Sequence, residues 1–188
     1  QVRKKYSLAG KYLLYVGTLQ PRKNLNRLVE AFAKLKNKQI KLVIGGKKGW
    51  LYDQIFEQVR SLKLENRVLF LGFVPNEDLP GLIKGAVAYV LPSLYEGFGM
   101  PPVEAQAVGV PVVVSRLLSL PEVIGASGIY IEDPNSVDSI KEALEKVLTL
   151  TKNEREAIIE VGKENTKRFD WDLSAAKILS ILHQAAGK

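Results

Sequence analysis

The stretch KYLLYVGTLQPRKNLNRLVEAFAKLK, residues 11–36, decides the fold class because its hydrophobic pattern changes once along its length. Its first part, KYLLYVG (11–17), is continuously apolar, which is typical of a strand buried on both faces of a parallel sheet. Its last part, NLNRLVEAFAKLK (24–36), repeats apolar residues at helical spacing, and Asn24 is predicted to cap that helix. A strand followed by a polar loop and a helix indicates the first unit of an α/β domain.

Five further apolar runs repeat this rhythm. They are IKLVIGG (40–46), RVLFLGF (67–73), AVAYVLP (86–92), VPVVVS (110–115) and GIYIED (128–133). After residue 134 the pattern is purely helical, in three segments, two of which have N-caps predicted at Ser136 and Asp170. The sequence therefore predicts a doubly wound, Rossmann-like three-layer α/β sandwich of about six parallel strands. Its core would span about 10–133, with a helical tail over 134–188.

Composition excludes several kinds of protein. The chain has 188 residues, 46% of them apolar and 25% charged, as expected for one globular domain. It has no cysteine, and its one histidine, His183, is expected to be structural, so disulfides, thiolate sites and histidine metal clusters are excluded. The apolar runs are too short to span a bilayer, and no signal peptide is visible. Because the chain begins with Gln1, we expect it to be part of a longer protein.

The net charge of +7 is compatible with nucleic acid, anionic lipid or phosphorylated small molecules as partners. The basic residues are scattered and do not alternate with aromatic residues on one face. We therefore interpret most of them as solvated surface and do not expect nucleic acid to be a partner.

The stretch SLYEGFGMPPVEA (93–105) follows the fourth predicted strand, at the edge of the sheet where ligands bind in such folds. Gly97 and Gly99 let a ligand approach the backbone closely, and the Pro-Pro pair suits the start of a helix. Backbone N–H groups ahead of a helix N-terminus form an anion site. Glu96 would then lie in the loop and Glu104 on the first helical turn. Two carboxylates beside an anion site are expected to bind hydroxyl groups.

The loop GTLQPRKN (17–24) places Arg22 and Lys23 between a strand and a helix, where two cations can neutralise a diphosphate. The loop contains neither a GxxxxGK[ST] phosphate loop nor a GxGxxG dinucleotide fingerprint. A nicotinamide cofactor is therefore disfavoured.

With these residues in view, the chain resembles a known family from about residue 5 to residue 180. It is similar to the C-terminal half of retaining glycosyltransferases of family 4, which have the GT-B fold. The most specific element is the E-x7-E pair formed by Glu96 and Glu104. The resemblance is carried by YLLYVGTLQPRKNLNRLVEAF, KLVIGGKKGW, NRVLFLGFVPNEDLPGLIKGA, PSLYEGFGMPPVEAQAVGVPVVVSRLLSLPEV and RFDW.

The resemblance implies a role for each matching residue. Glu96 would contact hydroxyls of the donor sugar, and Glu104 would hold the ribose of the nucleotide. Lys23 falls on the family's diphosphate-binding lysine. The family's arginine often follows the loop glycine directly, but Thr18 stands there and Arg22 is the nearest replacement. The remaining donor-binding positions are Gly17 and Thr18 in the first loop, backbone near Val74, and the backbone of Gly97, Phe98, Gly99 and Met100.

The resemblance also implies a reaction and its partners. The enzyme would transfer a mannosyl or similar hexosyl group from GDP-mannose or a UDP-sugar, with retention and without metal or cofactor. Glu96, Lys23 and Arg22 would be its catalytic residues. The acceptor, a glycan or lipid-linked molecule, would bind an N-terminal domain absent from this chain, so the isolated domain is expected to be inactive. A cytoplasmic location is expected, with membrane contact through the full-length protein left open.

Two alternatives remain at this point. A non-catalytic nucleotide-binding or regulatory module would need Glu104 and Lys23 but not Glu96. A basic domain that binds nucleic acid would explain the charge, but carboxylates repel a phosphate backbone, and EGFGMPPVE would have no role.

Overall fold

A parallel sheet of six strands forms the centre of the computed structural model, which describes residues 2–187. All strand pairs are parallel, and the spatial order is β3-β2-β1-β4-β5-β6, as in doubly wound nucleotide-binding folds. Each of the six predicted apolar runs contains one strand. The strands are β1 (Tyr12–Val16), β2 (Lys41–Gly45), β3 (Val68–Gly72), β4 (Ala88–Leu91), β5 (Val112–Ser115) and β6 (Gly128–Ile131).

Helices cover both faces of the sheet, which confirms the predicted three-layer architecture. Nine α-helices are assigned within residues 2–187: α1 (Val2–Lys5), α2 (Leu25–Ala33), α3 (Asp53–Ser61), α4 (Leu79–Lys84), α5 (Met100–Ala107), α6 (Leu120–Ile124), α7 (Val137–Thr149), α8 (Lys152–Thr166) and α9 (Trp171–Ala185). Helix α2 contacts both α3 and α7, whereas α4, α6 and α8 each contact α5 in a second group. The sheet lies between the two groups because its two halves are wound in opposite directions.

The core follows from the apolar runs. All residues of β4 and β5 are buried, because these central strands have helices on both faces. The outermost strands, β3 and β6, are only partly buried. All six strands are largely apolar in sequence, but their burial decreases from the inner strands to the two edges of the sheet.

Strands β1 and β4 separate towards their C-terminal ends. Their backbone pairing is limited to Leu13 with Ala88 and Leu14 with Tyr89. Beyond this point the buried Tyr89 hydroxyl lies between the strands, where it donates to the Val16 carbonyl at 2.7 Å and accepts from the Val16 N–H at 3.3 Å. The crossovers on the two sides of this position run in opposite directions, so a crevice opens here.

Two local predictions need correction. Asn24 is at the N-cap position of α2, as predicted, but its side chain makes no capping hydrogen bond. Its backbone is left-handed, with φ 59°, and its amide donates to the carbonyls of Pro92 and Pro134. Helix α5 begins at Met100 with Gly99 as N-cap, one residue before the prolines, so Glu104 lies on the second turn and not the first. The predicted caps at Ser136 and Asp170 are confirmed, since each side chain accepts an N–H of its helix.

The predicted helical tail has three helices that differ in burial. Helix α7 packs on α2 and on β6, and α8 packs on α5. Helix α9 has no buried residue and exposes Ile178, Leu179, Ile181 and Leu182. Within residues 2–187, no helix combines the length and the apolar character that crossing a membrane would require.

The N-terminal segment is attached to α4 through Asp78. The Asp78 carboxylate, which is nearly buried, accepts hydrogen bonds from Lys5 Nζ at 2.6 Å and from the Tyr6 hydroxyl at 2.7 Å. These two donors lower the pKa of Asp78 below its ordinary value, because they stabilise the charged form.

Replacing Asp78 with Asn is expected to lower the melting temperature in a pH-dependent way. A carboxyl group whose pKa is lower in the folded state stabilises the fold above its unfolded pKa of about 3.9. This stabilisation is lost as the pH falls through the folded pKa. The difference in melting temperature between wild type and Asp78→Asn should therefore be full at pH 7 and shrink below about pH 4.

Thermal unfolding followed by circular dichroism from pH 7 to pH 3 measures this difference. The exposed Asp172 gives a matched control, Asp172→Asn. A difference for Asp78→Asn that stays constant over this pH range would contradict the assigned role of the charge.

Candidate functional site

Glu96 is the centre of a cluster in the crevice between β1 and β4. One of its oxygens, Oε1, accepts from Lys23 Nζ at 2.5 Å and from the Ser93 hydroxyl at 2.7 Å. The other, Oε2, lies 3.4 Å from Arg22 Nη1. The structure thus brings together all three residues that the sequence predicted as catalytic, from loops 73 positions apart.

The two loops are also joined through their backbones. The Leu94 N–H donates to the Arg22 carbonyl at 2.8 Å, and Arg22 Nη1 donates to the Tyr95 carbonyl at 2.9 Å. A third loop, after β5, contributes the Ser119 hydroxyl, which donates to the Glu96 carbonyl at 3.2 Å. Glu96 is therefore held by its side chain and by its backbone.

The charges of this cluster differ in exposure. The Lys23 and Glu96 side chains are only 11% and 9% exposed, whereas Arg22 is 43% exposed. An ion pair with so little solvent contact leaves a costly unpaired charge when either partner is removed. Lys23 and Glu96 are thus fixed relative to one another, and Arg22 is free to reach towards the solvent side of the crevice.

The glycine-rich segment after Glu96 leads directly into α5. Gly99 has φ +91°, which favours glycine, and a Cβ there would lie 2.6 Å from a methyl group of Leu120. Gly97, Phe98 and Met100 are exposed around it. No side chain caps α5 among the residues the structure describes. Its first N–H groups are therefore available to an anion, although Pro101 and Pro102 contribute none.

Glu104 projects from the second turn of α5 and is exposed. It borders a cavity of 490 Å³ that is also lined by Asn76, Leu79 and Pro80 from the segment after β3. It borders a second, more apolar cavity of 650 Å³, which the aromatic side chains of Phe98, Phe169 and Trp171 help to line. Glu104 therefore stands between two recesses, either large enough for part of a small-molecule ligand.

The buried Tyr89 hydroxyl lies within electrostatic reach of both acidic residues. Burial raises the pKa of Tyr89, and the negative charges of Glu104 and Glu96 raise it further. The charges of both carboxylates thus act on the hydroxyl group that lies where β1 and β4 separate.

The remaining predicted residues lie on the neighbouring loops. The Gly17 N–H donates to the Gly45 carbonyl at 2.9 Å, and Thr18 is exposed beside it. Val74 is buried, with its side chain against the end of β2. The segment that follows Val74 reaches the Glu104 cavity through Asn76 and Leu79. The predicted donor-binding residues therefore occupy one edge of the sheet, on the loops after β1, β3 and β4.

Sequence reasoning missed Ser93 and Ser119, which contact Glu96, and also the contacts that Tyr89 and Asn24 make beside this cluster. Ser93 had a usable signal, because a small polar residue directly after a buried strand and three positions before a glutamate can reach its carboxylate. Tyr89 had none, since an aromatic residue in a buried strand is normally part of the core. Ser119 and Asn24 act across loops that only the fold brings together.

Possible metal ligands are also few. Between residues 2 and 187 there is no group of three His, Cys, Asp or Glu side chains placed to hold a metal ion. In the part of the chain that the structure describes, Lys23 and Arg22 are the two cations that contact Glu96.

The sequence is similar to known glycosyltransferases over most of its length. The family described as glycosyl transferases group 1 matches residues 2–165. O-antigen chain mannosyltransferase B of Escherichia coli is 41% identical over 175 residues, which cover 91% of this chain and 45% of that protein. The serotype-specific mannosyltransferase WbdA of the same species is 32% identical over 90% of this chain and 21% of that protein. The chain thus spans less than half the length of these relatives.

Solved structures share the fold. Sucrose-phosphate synthase from Thermosynechococcus elongatus superposes with a TM-score of 0.88 at 25% identity, over 99% of this chain and 48% of that one. Anabaena HepE in complex with UDP and glucose superposes with a TM-score of 0.87 at 24% identity, over 97% of this chain and 51% of that one. The match of the family to most of the chain and the identity to the mannosyltransferase lead to one conclusion: the chain belongs to the group 1 glycosyl transferases.

Proposed function

We propose that this chain is the donor-binding domain of a retaining hexosyltransferase of family 4 with the GT-B fold. The observation that carries the proposal is the contact of Lys23 with Glu96 at the separation of β1 and β4, beside the N-terminus of α5. This arrangement offers a cation, a carboxylate and backbone N–H groups to one ligand. A nucleotide sugar has matching parts: a diphosphate, a polyol and a ribose.

In this proposal the diphosphate lies between Lys23, Arg22 and the start of α5. An ammonium group has three donors, and Lys23 uses one of them on Glu96, so two remain for phosphate oxygens. Arg22 is exposed enough to turn towards the ligand. Fixed positive groups aimed at a leaving diphosphate stabilise the charge that develops on it during transfer, and we propose that they do so without a metal.

Glu96 would orient the sugar through its hydroxyl groups. Lys23 and Ser93 hold its carboxylate in place before the ligand arrives, and Ser119 holds its backbone carbonyl. Orientation of this kind lowers the barrier by placing the reacting carbon. Removing one charged contact of the transition state costs about 2–4 kcal/mol. We assign Glu96 to orientation, and not to nucleophilic attack.

The nucleoside would occupy the recess beside Glu104. Its carboxylate can accept from the ribose hydroxyls, and the 490 Å³ cavity next to it extends towards the segment after β3. Backbone near Val74 would then meet the base. The loop of Gly17 and Thr18 and the segment from Gly97 to Met100 complete the donor site.

The similarity to O-antigen chain mannosyltransferase B favours mannosyl transfer, with GDP-mannose as the first donor to test and UDP-sugars as the second. The acceptor would be a glycan or a lipid-linked molecule, bound by an N-terminal domain outside these 188 residues. This is consistent with the chain covering 45% of that relative. The isolated domain would then bind donor but transfer little, and the full protein would act in the cytoplasm, with membrane contact as an open question.

Calorimetric titration of the purified chain with nucleotides should detect binding without added metal. GDP, UDP and ADP, each alone and as a sugar conjugate, form the test panel, and chelator in the buffer removes trace metal. We expect at least one diphosphate to bind with a dissociation constant in the micromolar to millimolar range, and we expect GDP and GDP-mannose to bind most tightly. Failure of every ligand at millimolar concentration would refute the donor-site proposal.

Substitution of the two glutamates should affect different parts of the ligand. Glu104→Ala is expected to weaken binding of the nucleoside diphosphate and of its sugar conjugate to the same extent, by about 2 kcal/mol or roughly 30-fold in affinity. Glu96→Gln, which keeps the shape of the side chain, should weaken binding of the sugar conjugate more than binding of the free diphosphate, which Glu96 affects only through Lys23. Calorimetry with both ligands measures the two effects.

The exposed Glu142 on α7 provides a matched control for Glu104, as Glu142→Ala. Equal losses from Glu96→Gln and Glu104→Ala for both ligands would overturn the division of roles. A wild-type chain that binds the free diphosphate as tightly as the conjugate, with no effect of Glu96→Gln, would favour the non-catalytic nucleotide-binding module.

A further inference from the structure

Asn24 is one of the few buried polar residues of the molecule, with 4% of its surface exposed. Its amide nitrogen donates two hydrogen bonds, to the Pro92 carbonyl at 3.0 Å and to the Pro134 carbonyl at 2.7 Å. Its amide oxygen accepts from Arg27 Nη1 at 3.0 Å. Asn24, Pro92 and Pro134 follow β1, β4 and β6 respectively. One carboxamide therefore connects three loops at the same edge of the sheet.

Two separate requirements favour asparagine at position 24: the backbone conformation and the hydrogen bonds of the side chain. The backbone of Asn24 is left-handed, with φ 59° and ψ 31°, a conformation that Asn and Gly adopt more readily than other residues. Among these two, only Asn carries an amide with two N–H donors and an acceptor. The two carbonyls that it reaches belong to prolines at buried positions, where an unsatisfied acceptor is costly.

The sequence neighbours of these contacts are the residues of the ion pair. Lys23 precedes Asn24, and Ser93, which donates to Glu96, follows Pro92. These contacts close a ring between the two loops. The Asn24 amide bonds the β4 loop at Pro92, the Ser93 hydroxyl bonds Glu96, and Glu96 pairs with Lys23, the neighbour of Asn24. The Leu94 N–H, which donates to the Arg22 carbonyl, is a further hydrogen bond between the same two loops.

We propose that Asn24 is a positioning residue that holds Lys23 and Glu96 in register. The inference rests on the proposed function, because it assigns Lys23 and Glu96 to the donor. Asn24 touches neither the sugar nor the phosphate: it acts by fixing the β1 loop against the β4 loop. The bond to Pro134 extends the same constraint to the chain that enters α7.

Two variants distinguish the effect of the Asn24 backbone conformation from the effect of its side-chain amide. Asn24→Gly keeps the left-handed backbone but removes all three side-chain hydrogen bonds. Asn24→Asp keeps the shape but replaces the two N–H donors by an oxygen that faces two carbonyls. Gln106→Glu is the matched control: Gln106 is a buried carboxamide that donates to the Ile124 carbonyl and to Ser127, away from the two loops.

The first measurement needs no ligand. Amide hydrogen exchange by NMR reports the opening of single hydrogen bonds, and the Leu94 N–H reports the junction of the two loops. In either Asn24 variant we expect exchange at Leu94 to be about tenfold faster relative to the Tyr89 N–H, which lies within the sheet. Unchanged exchange at Leu94, or an equal rise at Leu94 and Tyr89, would overturn the proposal. In Gln106→Glu the ratio of the two rates should stay constant.

The second measurement is a double-mutant cycle with Lys23→Met, read by nucleoside diphosphate affinity. If Asn24 acts through Lys23, Asn24→Asp weakens binding about tenfold in the wild-type background and less than about twofold in Lys23→Met. A merely structural loss would be similar in both backgrounds and would contradict the proposal. A wild-type chain that binds no nucleoside diphosphate would refute the donor site itself, while Leu94 exchange still decides whether Asn24 joins the loops.

Discussion

The ion pair between Lys23 and Glu96 is the interaction on which the geometry of this sheet edge depends. Its two members come from loops that are far apart in sequence, and each is close to fully buried. A charge with so little solvent contact needs a partner, so separation of the two loops would leave both Lys23 and Glu96 without their shortest ionic contact. The two loops therefore form one rigid rim.

The rim exists because β1 and β4 do not stay paired. The Tyr89 hydroxyl takes both backbone groups of Val16 and so satisfies the hydrogen bonds that a continuing strand pair would have made. This keeps a crevice open at the position where the winding of the sheet reverses. The crevice is thus a consequence of strand order, and one buried aromatic side chain bridges its two strands at its base.

The fold was predictable from the sequence because burial leaves a strong pattern in it. Strands such as β4 and β5 are buried at every position and almost wholly apolar, because helices cover both of their faces. Each of these strands lies within an apolar run of the sequence. The cluster of Glu96, Lys23 and Arg22 was predictable because parallel strands bring their C-terminal loops to the same edge.

What the sequence could not show were contacts made across loops. Asn24 before a helical repeat looks like an N-cap, and local propensity offers no reason to expect otherwise. Its amide instead satisfies carbonyls 68 and 110 positions away, a requirement that arises only once the fold brings them together. Likewise, with Gly99 as N-cap, α5 starts at Met100, ahead of the prolines, and this earlier start places Glu104 on the second turn.

A rim of this kind suits a ligand that carries both negative charge and hydroxyl groups. Because Glu96 already holds Lys23, the ammonium group does not have to be recruited from solvent when a diphosphate arrives, and little side-chain entropy is lost on binding. The same contact prevents the carboxylate of Glu96 from repelling the phosphates, since its charge is balanced locally. In the proposed donor site, one pair of opposite charges would therefore let an anion and a polyol bind side by side, which neither a purely basic nor a purely acidic crevice would allow.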